Sequence, residues 1–485
     1  MTKRDVFIVM LLALCMGGCI ANDTHSSATH SSAKAFQPPP RTAYTNAVNQ
    51  YLNVDAALVA ILNVKIIDGT GQPAKDNQSI LIENGYIKAT GPAGSFAIPD
   101  TARTLDLQSH TVIPGIIGTH NHLHMPGIHF MGFTASRLYL ASGVTTIQTT
   151  GSASPAREKS MADSIHGGLL PGPDIFHTGP YFNGSEGSNV MITPRDSSHI
   201  DDVIKHWTSQ GVRWFKVYRH IKPDHLADVI RIAHAYGAKV TGHLCSVTYV
   251  EAAQMGIDAI EHGFIHSFDH AEDKEAGLCS GSRDFRDALR IDSPEVDSVQ
   301  QILIDHNVGL SSTPAIFEAQ VPDRAIADER TLQAMSPRSV NIYNERQERM
   351  QARGASWYFK PVWLEKSMAY NLAFFRKGGL LTVGLDPGLH NLPGFGDQRN
   401  FLLLHEAGFS TEEAIQVMTS NGARLLGKED IGTIEVGKRA DLVILQGDLE
   451  ATPGTIEQVV MVFKEGYGFD PEKLLEDVKG QVGIR

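Results

Sequence analysis

The chain has 485 residues, of which 42% are hydrophobic and 20% charged, and it carries a net charge of −12. That length allows one large domain with an appendage, or two to three ordinary domains, with ample core. The acidic balance excludes a basic nucleic-acid surface, and there is no Walker-type phosphate loop and no dinucleotide fingerprint after a strand.

At the N-terminus Lys3 and Arg4 precede an apolar stretch, Val6 to Met16, and then Gly17-Gly18-Cys19. This reads as an export signal over residues 1–21, too short for a membrane span. Two processing routes stand open. Cys19 after Gly18 resembles a lipoprotein box and would take a lipid anchor to a membrane. Met16 and Gly17 depart from that box, and plain cleavage after Ala21 competes. Residues 22–50, rich in Ser, Thr, His and Pro, read as a flexible linker. The mature protein is therefore expected outside the cytoplasm, in the periplasm. Beyond the leader only Cys245 and Cys279 remain, enough for one bridge or two buried thiols. For Cys245 the preferred reading is a small buried apolar side chain.

From Leu58 to Asp106 short apolar runs alternate with Asp68-Gly69, Asn84-Gly85 and Gly91-Pro92. Asn84-Gly85 between two such runs predicts a hairpin. Similar runs return at Ala440–Leu445 and Val459–Phe463. The two flanks, 51–112 and 431–485, are expected to fold together as one small β-sandwich domain that ends in a C-terminal tail.

Between them, over 113–430, short apolar runs alternate with helical stretches. Strands are expected near 112–119, 144–149, 174–179, 213–218, 238–243, 257–262, 308–313 and 380–386. Asp224 to Tyr236 shows helical spacing at Leu226, Val229, Ile230 and Ala233. Eight such units predict an α/β fold, a (β/α)8 TIM-like barrel with its active site at the C-terminal strand ends. Two connections are oversized, Gly263–Val299 and Pro314–Leu372; they could be lids, surface decoration or a homo-oligomer contact.

Metal-type ligands recur at the expected strand ends. His120 and His122 follow the run Val112–Ile117, and residues i and i+2 of a strand face one side. Lys216 lies in Trp214–Val217, where alternation with Phe215 and Val217 would turn it inward. A buried ammonium is costly, so its pKa should fall; the amine could then take up carbon dioxide as a carbamate, or pair with a barrel carboxylate instead. His243, His262 and Asp386 close the runs Ala238–Thr241, Ile257–Ile260 and Leu380–Leu385. Each alone has a bland reading, a core histidine or a helix cap. Together they predict a catalytic metal centre. His262, His266 and His270 recur every four residues, and an entrance-loop cluster is preferred there to a second metal site.

These residues lie in motifs that resemble the amidohydrolase superfamily, near the branch of Xaa-Pro dipeptidases and imidazolonepropionase-like hydrolases. The motifs are Pro114-Gly115-Ile116-Ile117-Gly118-Thr119-His120-Asn121-His122, Ser142–Thr146, Lys216-Val217-Tyr218, His243, Glu261-His262-Gly263, Gly384-Leu385-Asp386 and Gly432–Leu442. The likeness spans about 58 to 465, with one departure, Gly118 where the family usually has Asp. It implies two divalent metals, with zinc the first choice and manganese, iron or cobalt compatible. His120, His122 and Asp386 would hold one. His243 and His262 would hold the other. Carboxylated Lys216 and a hydroxide would bridge them, and Asp386 would act as general base and then acid.

The expected function is hydrolysis of an amide or peptide bond in a small-molecule or short-peptide substrate, a dipeptide or an N-acyl amino acid. Tyr218 resembles a tyrosine that touches the substrate carboxylate in dipeptidase relatives; His220, Arg219 and Arg137 are further candidates. A one-metal deaminase or cyclic amide hydrolase, with Lys216 unmodified, is one alternative. An inactive barrel kept as a surface-binding lipoprotein is another.

Overall fold

The computed structural model describes residues 41–125, 128–188 and 190–484. The export signal, Cys19 and residues 22–40 of the linker lie outside them. Residues 41–50, expected as the end of that linker, are packed instead. Val48 is fully buried, and the Tyr44 ring sits 4.5 Å from Tyr467. The apolar side chains there outweigh the polar composition of the preceding stretch.

The apolar run from Val112 to Ile117 serves two sheets. His110–Pro114 joins the sheet built from the flanks, and Ile116–Gly118 begins the central parallel strands. Gly115 makes the switch, where a Cβ would meet Thr145 Oγ1 at 2.1 Å. The flanking strands form one nine-stranded sheet in which Leu442–Gln446 pairs antiparallel with His110–Pro114. Strands of the two flanks thus pair directly with one another. Leu58–Ile66 bonds to three neighbours, Lys75–Glu83, Arg103–Asp106 and His110–Pro114, and so keeps the strands in one continuous sheet. The hairpin at Asn84-Gly85 is present, with both residues at positive φ.

Eight parallel strands follow: Ile116–Gly118, Val144–Gln148, Asp174–Phe176, Trp214–Val217, Lys239–Gly242, Ala259–Glu261, Gly309–Ser312 and Leu381–Val383. The first three pair as one sheet and the last five as another. Backbone bonds link the sheets at both edges. Thr119 N–H donates to Val383 O (3.1 Å), and Gly179 N–H to Trp214 O (3.1 Å). Each strand matches an expected one, because short runs largely buried on both faces are the signature of a parallel strand. The helix expected at 224–236 is Pro223–Ala235.

The long connections carry helices of their own, Phe285–Ala288 and Pro294–Asp305 in the first, Pro337–Arg353 and Pro361–Arg376 in the second. Cys245 and Cys279 are disulfide-bonded, which replaces the apolar reading of Cys245 and ties the first connection to the end of the fifth strand. No helix among the described residues is long and apolar enough to cross a membrane.

Candidate metal centre

The C-terminal ends of the first, fourth, fifth, sixth and eighth parallel strands open on one cavity of about 560 Å³. His120, His122, Lys216, Tyr218, His243, His262 and Asp386 all line it, so all the ligands expected from the sequence are brought together. His124, Tyr181 and Met191 also line it.

Two of these residues sit in left-handed backbone, His262 at φ +70° and Asp386 at φ +49°. That conformation is costly for a residue with a side chain and marks a site that the surrounding structure holds in place. At His262 it has a plain effect. Glu261 and His262 are neighbours and would face opposite ways in a strand. The turn lets both face inward, Glu261 onto His120 Nδ1 (2.5 Å) and His262 onto His243. At the eighth strand Gly384 lacks the Cβ that would meet His120 N at 2.1 Å. Asp386 N–H can therefore donate to His120 O (2.7 Å), which seats the carboxylate 3.5 Å from His122 Nε2.

The histidine nitrogens divide into an inner and an outer set. His262 Nε2 and His243 Nδ1 lie 3.0 Å apart. Their outer nitrogens have partners: His262 Nδ1 meets Thr313 Oγ1 at 2.8 Å, and His243 Nε2 meets His266 Nδ1 at 3.1 Å. His120 points Nδ1 at Glu261 and leaves Nε2 3.2 Å from Lys216 Nζ. Outer partners of this kind fix the tautomer and turn the free lone pair inward. His120, His262 and Asp386 bring one ligand atom each within 4.8 Å of one another, a spacing a metal ion could fill.

Burial sets the charge states. It pushes His120, His243 and His262 well below the usual imidazole value, and His122 down to about 4, so all four are neutral donors. Burial also lowers Lys216, and among the described residues no carboxylate lies within ion-pair distance of its amine. Glu261 and Asp386 act against that fall from beyond ion-pair distance. For Asp386, burial acts upward but is outweighed by His120 and by the hydrogen bond from His122; the carboxyl stays ionised, 30% exposed toward the cavity.

Other candidates separate from the site. Arg137 is buried against Asp477 and Tyr51, and His220 is fixed by its backbone to Asn183. Neither lines the cavity. Arg219 lies against the disulfide, 3.6 Å from Cys279 Sγ. His266 joins His243, whereas His270 turns away to Phe285. Sequence reasoning missed Glu261 and Thr313 as partners of the histidines, and Asn121, whose side chain accepts from Leu385 N–H (2.8 Å) and donates to Asp397 (3.0 Å). That amide occupies the space a Cβ at Gly118 would need, 2.2 Å from Nδ2, which accounts for the departure at Gly118.

Residues 381–468 match the family model described as Amidohydrolase family. The chain is 30% identical over 385 residues to imidazolonepropionase of Salinispora tropica, covering 76% of this chain and 85% of the relative. The same enzyme of Streptomyces coelicolor is 24% identical over 376 residues, with 76% and 85% covered. Among solved structures, bottromycin amidohydrolase superposes with a TM-score of 0.69 at 17% identity, covering 90% of this chain and 93% of that one. A Xaa-Pro dipeptidase with methionine bound in its active site gives 0.62 at 18% identity, covering 85% and 100%. The parallel strands and their connections thus have a TIM-barrel-like α/β fold, and the chain belongs to the amidohydrolase superfamily as an enzyme acting on carbon–nitrogen bonds.

Proposed function

We propose that the protein is a two-metal hydrolase that cleaves the amide or peptide bond of a dipeptide or N-acyl amino acid. The observation that carries this reading is the inward pair His243 Nδ1 and His262 Nε2, 3.0 Å apart, with both outer nitrogens already engaged. With the protons on the outer nitrogens, two lone pairs face each other, an arrangement that suits a cation between them. His120, His122 and Asp386 would hold a second metal, and Lys216 would bridge the two after taking up carbon dioxide. In that step the amine nitrogen bonds to the carbon, a proton leaves to solvent, and an uncharged amine becomes an anionic oxygen ligand. Nitrogen and oxygen donors of this kind suit zinc. Bound metals would supply Lewis-acid polarisation of the scissile carbonyl and a water made acidic near neutral pH.

Asp386 does the proton work. Its ionised, cavity-facing carboxylate accepts a proton from the attacking water and returns it to the leaving nitrogen, which cannot depart as an anion. Tyr218 would touch the substrate, a role supported by its position on the cavity wall, 4.7 Å from His243. The eight strands act in this reading as one closed barrel, supported by the backbone bonds at both sheet edges. The mature chain works outside the cytoplasm, an assignment supported by the Cys245–Cys279 bridge.

A library of dipeptides and N-acyl amino acids, assayed with metal analysis, tests the proposal. The expected result is hydrolysis abolished by chelator and by Asp386→Asn, about two metal equivalents per chain, and loss of one in Lys216→Ala. A second reading has one metal on His120, His262 and Asp386, favoured by their convergence within 4.8 Å, in a deaminase or cyclic amide hydrolase. A single equivalent in fully active protein would establish it.

A further inference from the structure

Arg286 lies in the helix Phe285–Ala288 with its side chain fully buried. None of its three guanidinium nitrogens has a hydrogen-bond partner among the described residues. Rings surround it instead: its guanidinium carbon is 5.3 Å from the centroid of Phe285, 5.4 Å from Phe268 and 5.5 Å from Trp363. Fully buried arginines are almost always paired, because an isolated buried charge is among the costliest things a fold can hold. Burial and the nearby Arg283 push this guanidinium down to about 9, which leaves it charged at neutral pH.

The charged groups that act on it are cations as well. Arg283 and Arg219 both act on Arg286. Arg219 is half-buried, rests on both sulfurs of the disulfide (3.6 Å and 4.0 Å), and has a buried Nε without a partner. Two carboxylates of this region are engaged elsewhere. Asp287 holds Lys360 and Trp363, and Asp269 accepts from the Tyr249 and Val250 amides. Cys245, Phe268, Cys279 and Phe285 pack as one apolar cluster, so the disulfide and the rings fix the guanidinium groups in place. All three arginines act on His266, whose ring is 4.2 Å from that of His243, and Cys245 follows His243 by two residues.

We propose that Arg219, Arg283 and Arg286 form a subsite for a carboxylate beside the metal cavity, so that the substrate is a peptide or N-acyl amino acid bearing a free carboxylate. The inference rests on the hydrolase reading above. Arg286 is the buried floor, and the half-buried Arg219 and Arg283 are the way in. The planar fork of a guanidinium matches a carboxylate with two parallel hydrogen bonds, a fit a lysine would not give.

The test compares N-acyl amino acids with their carboxamides on the metal-loaded full chain, and uses sodium sulfate as an anion probe in thermal unfolding against sodium chloride at equal ionic strength. The expected result is a preference for the free carboxylate of about 10- to 100-fold in kcat/KM, the worth of one or two charge-assisted hydrogen bonds. In Arg219→Gln and Arg286→Met that ratio should collapse toward one, with part of it restored by Arg219→Lys. Sulfate should raise the unfolding temperature saturably and inhibit competitively, and both effects should weaken in Arg219→Gln. Because Arg219 is half-buried, that variant keeps the test decisive even if Arg286→Met fails to fold. Equal rates on acid and carboxamide would overturn the carboxylate subsite while leaving the hydrolase reading intact. If no amide is cleaved, the hydrolase reading falls, and a saturable sulfate shift lost in Arg219→Gln would still support the arginines as an anion site, for a free anion. A sulfate shift equal in wild type and Arg219→Gln would overturn it.

Discussion

Glu261 is the residue that shows how little of this site is left to chance. Its carboxylate sits between His120 Nδ1 and the Thr241 hydroxyl, buried to 1% exposure. Burial raises its own pKa, while Lys216 and Thr241 act against that rise. Its role in the proposed centre is to fix the His120 ring so that Nε2 faces the cavity. Glu261→Gln should therefore weaken metal binding by about 10- to 100-fold, read by competition with a chromophoric chelator, with little change in the fold by circular dichroism. Unchanged metal affinity would remove Glu261 from the centre. That the six residues line one cavity could be read from sequence because each lies in or just after a buried strand-like run. Glu261 and Thr313 could not, since their importance comes from partners 141 and 51 residues away. The left-handed turn at His262 concealed Glu261 further, because simple alternation sends it and His262 to opposite sides.

Among the elements, the helix Phe395–Glu406 has the most to say about the site. Asp397 in its first turn accepts from Gly394 N–H and from Asn121 Nδ2, and Asn121 Oδ1 accepts from Leu385 N–H, so these two side chains join the helix start, the end of the first parallel strand and the Leu385 amide. Burial pushes the Asp397 carboxyl up to about 7, against the pull of those hydrogen bonds. The sign of its effect on stability follows. Below pH 3.8, the unperturbed value, folded and unfolded chains both carry the proton. Between 3.8 and about 7 only the folded chain keeps it, so this group makes stability fall as pH rises. Above about 7 the cost is constant. Asp397→Asn should flatten the decline of the unfolding temperature across that window, relative to wild type. An unaltered pH profile would show that Asp397 ionises freely in the folded chain. The strands themselves were legible from run length, yet the break of one run at Gly115 into two sheets was not. A glycine within an apolar run shows only that a Cβ is missing, and the crowding by Thr145 that requires this comes from another strand.

Across the whole molecule, the flanking sheet is held to the parallel strands by a buried ionic network. Lys464, 2% exposed, and Arg439 both reach Asp174 at the start of the third parallel strand, at 2.7 Å and 2.6 Å, and Arg439 also pairs with Asp441. Removing one member leaves buried charge without its partner. Asp174→Asn should lower the stability to denaturant by about 3–5 kcal/mol, while kcat of the folded fraction stays near wild type, because Asp174 lies at the end of its strand opposite the cavity. A loss well under 1 kcal/mol, the range of exposed pairs, would mean that water reaches the network. The joining of the two flanks was readable from their matched apolar runs, but their single sheet was not, since which edges pair depends on contacts between segments several hundred residues apart.

The seam between the first and eighth parallel strands sets an order of events during synthesis. Asn121 and Leu385 are bonded across 264 residues, and Asp386 hangs its backbone on His120. A growing chain that has reached only the sixth strand already carries His120, His122, Lys216, His243 and His262, all without the aspartate or the strand that aligns them. Leu442–Gln446, which pairs with His110–Pro114, follows later still. The cavity is therefore completed only when the eighth strand closes onto the first, and partial chains carry the five earlier side chains without Asp386.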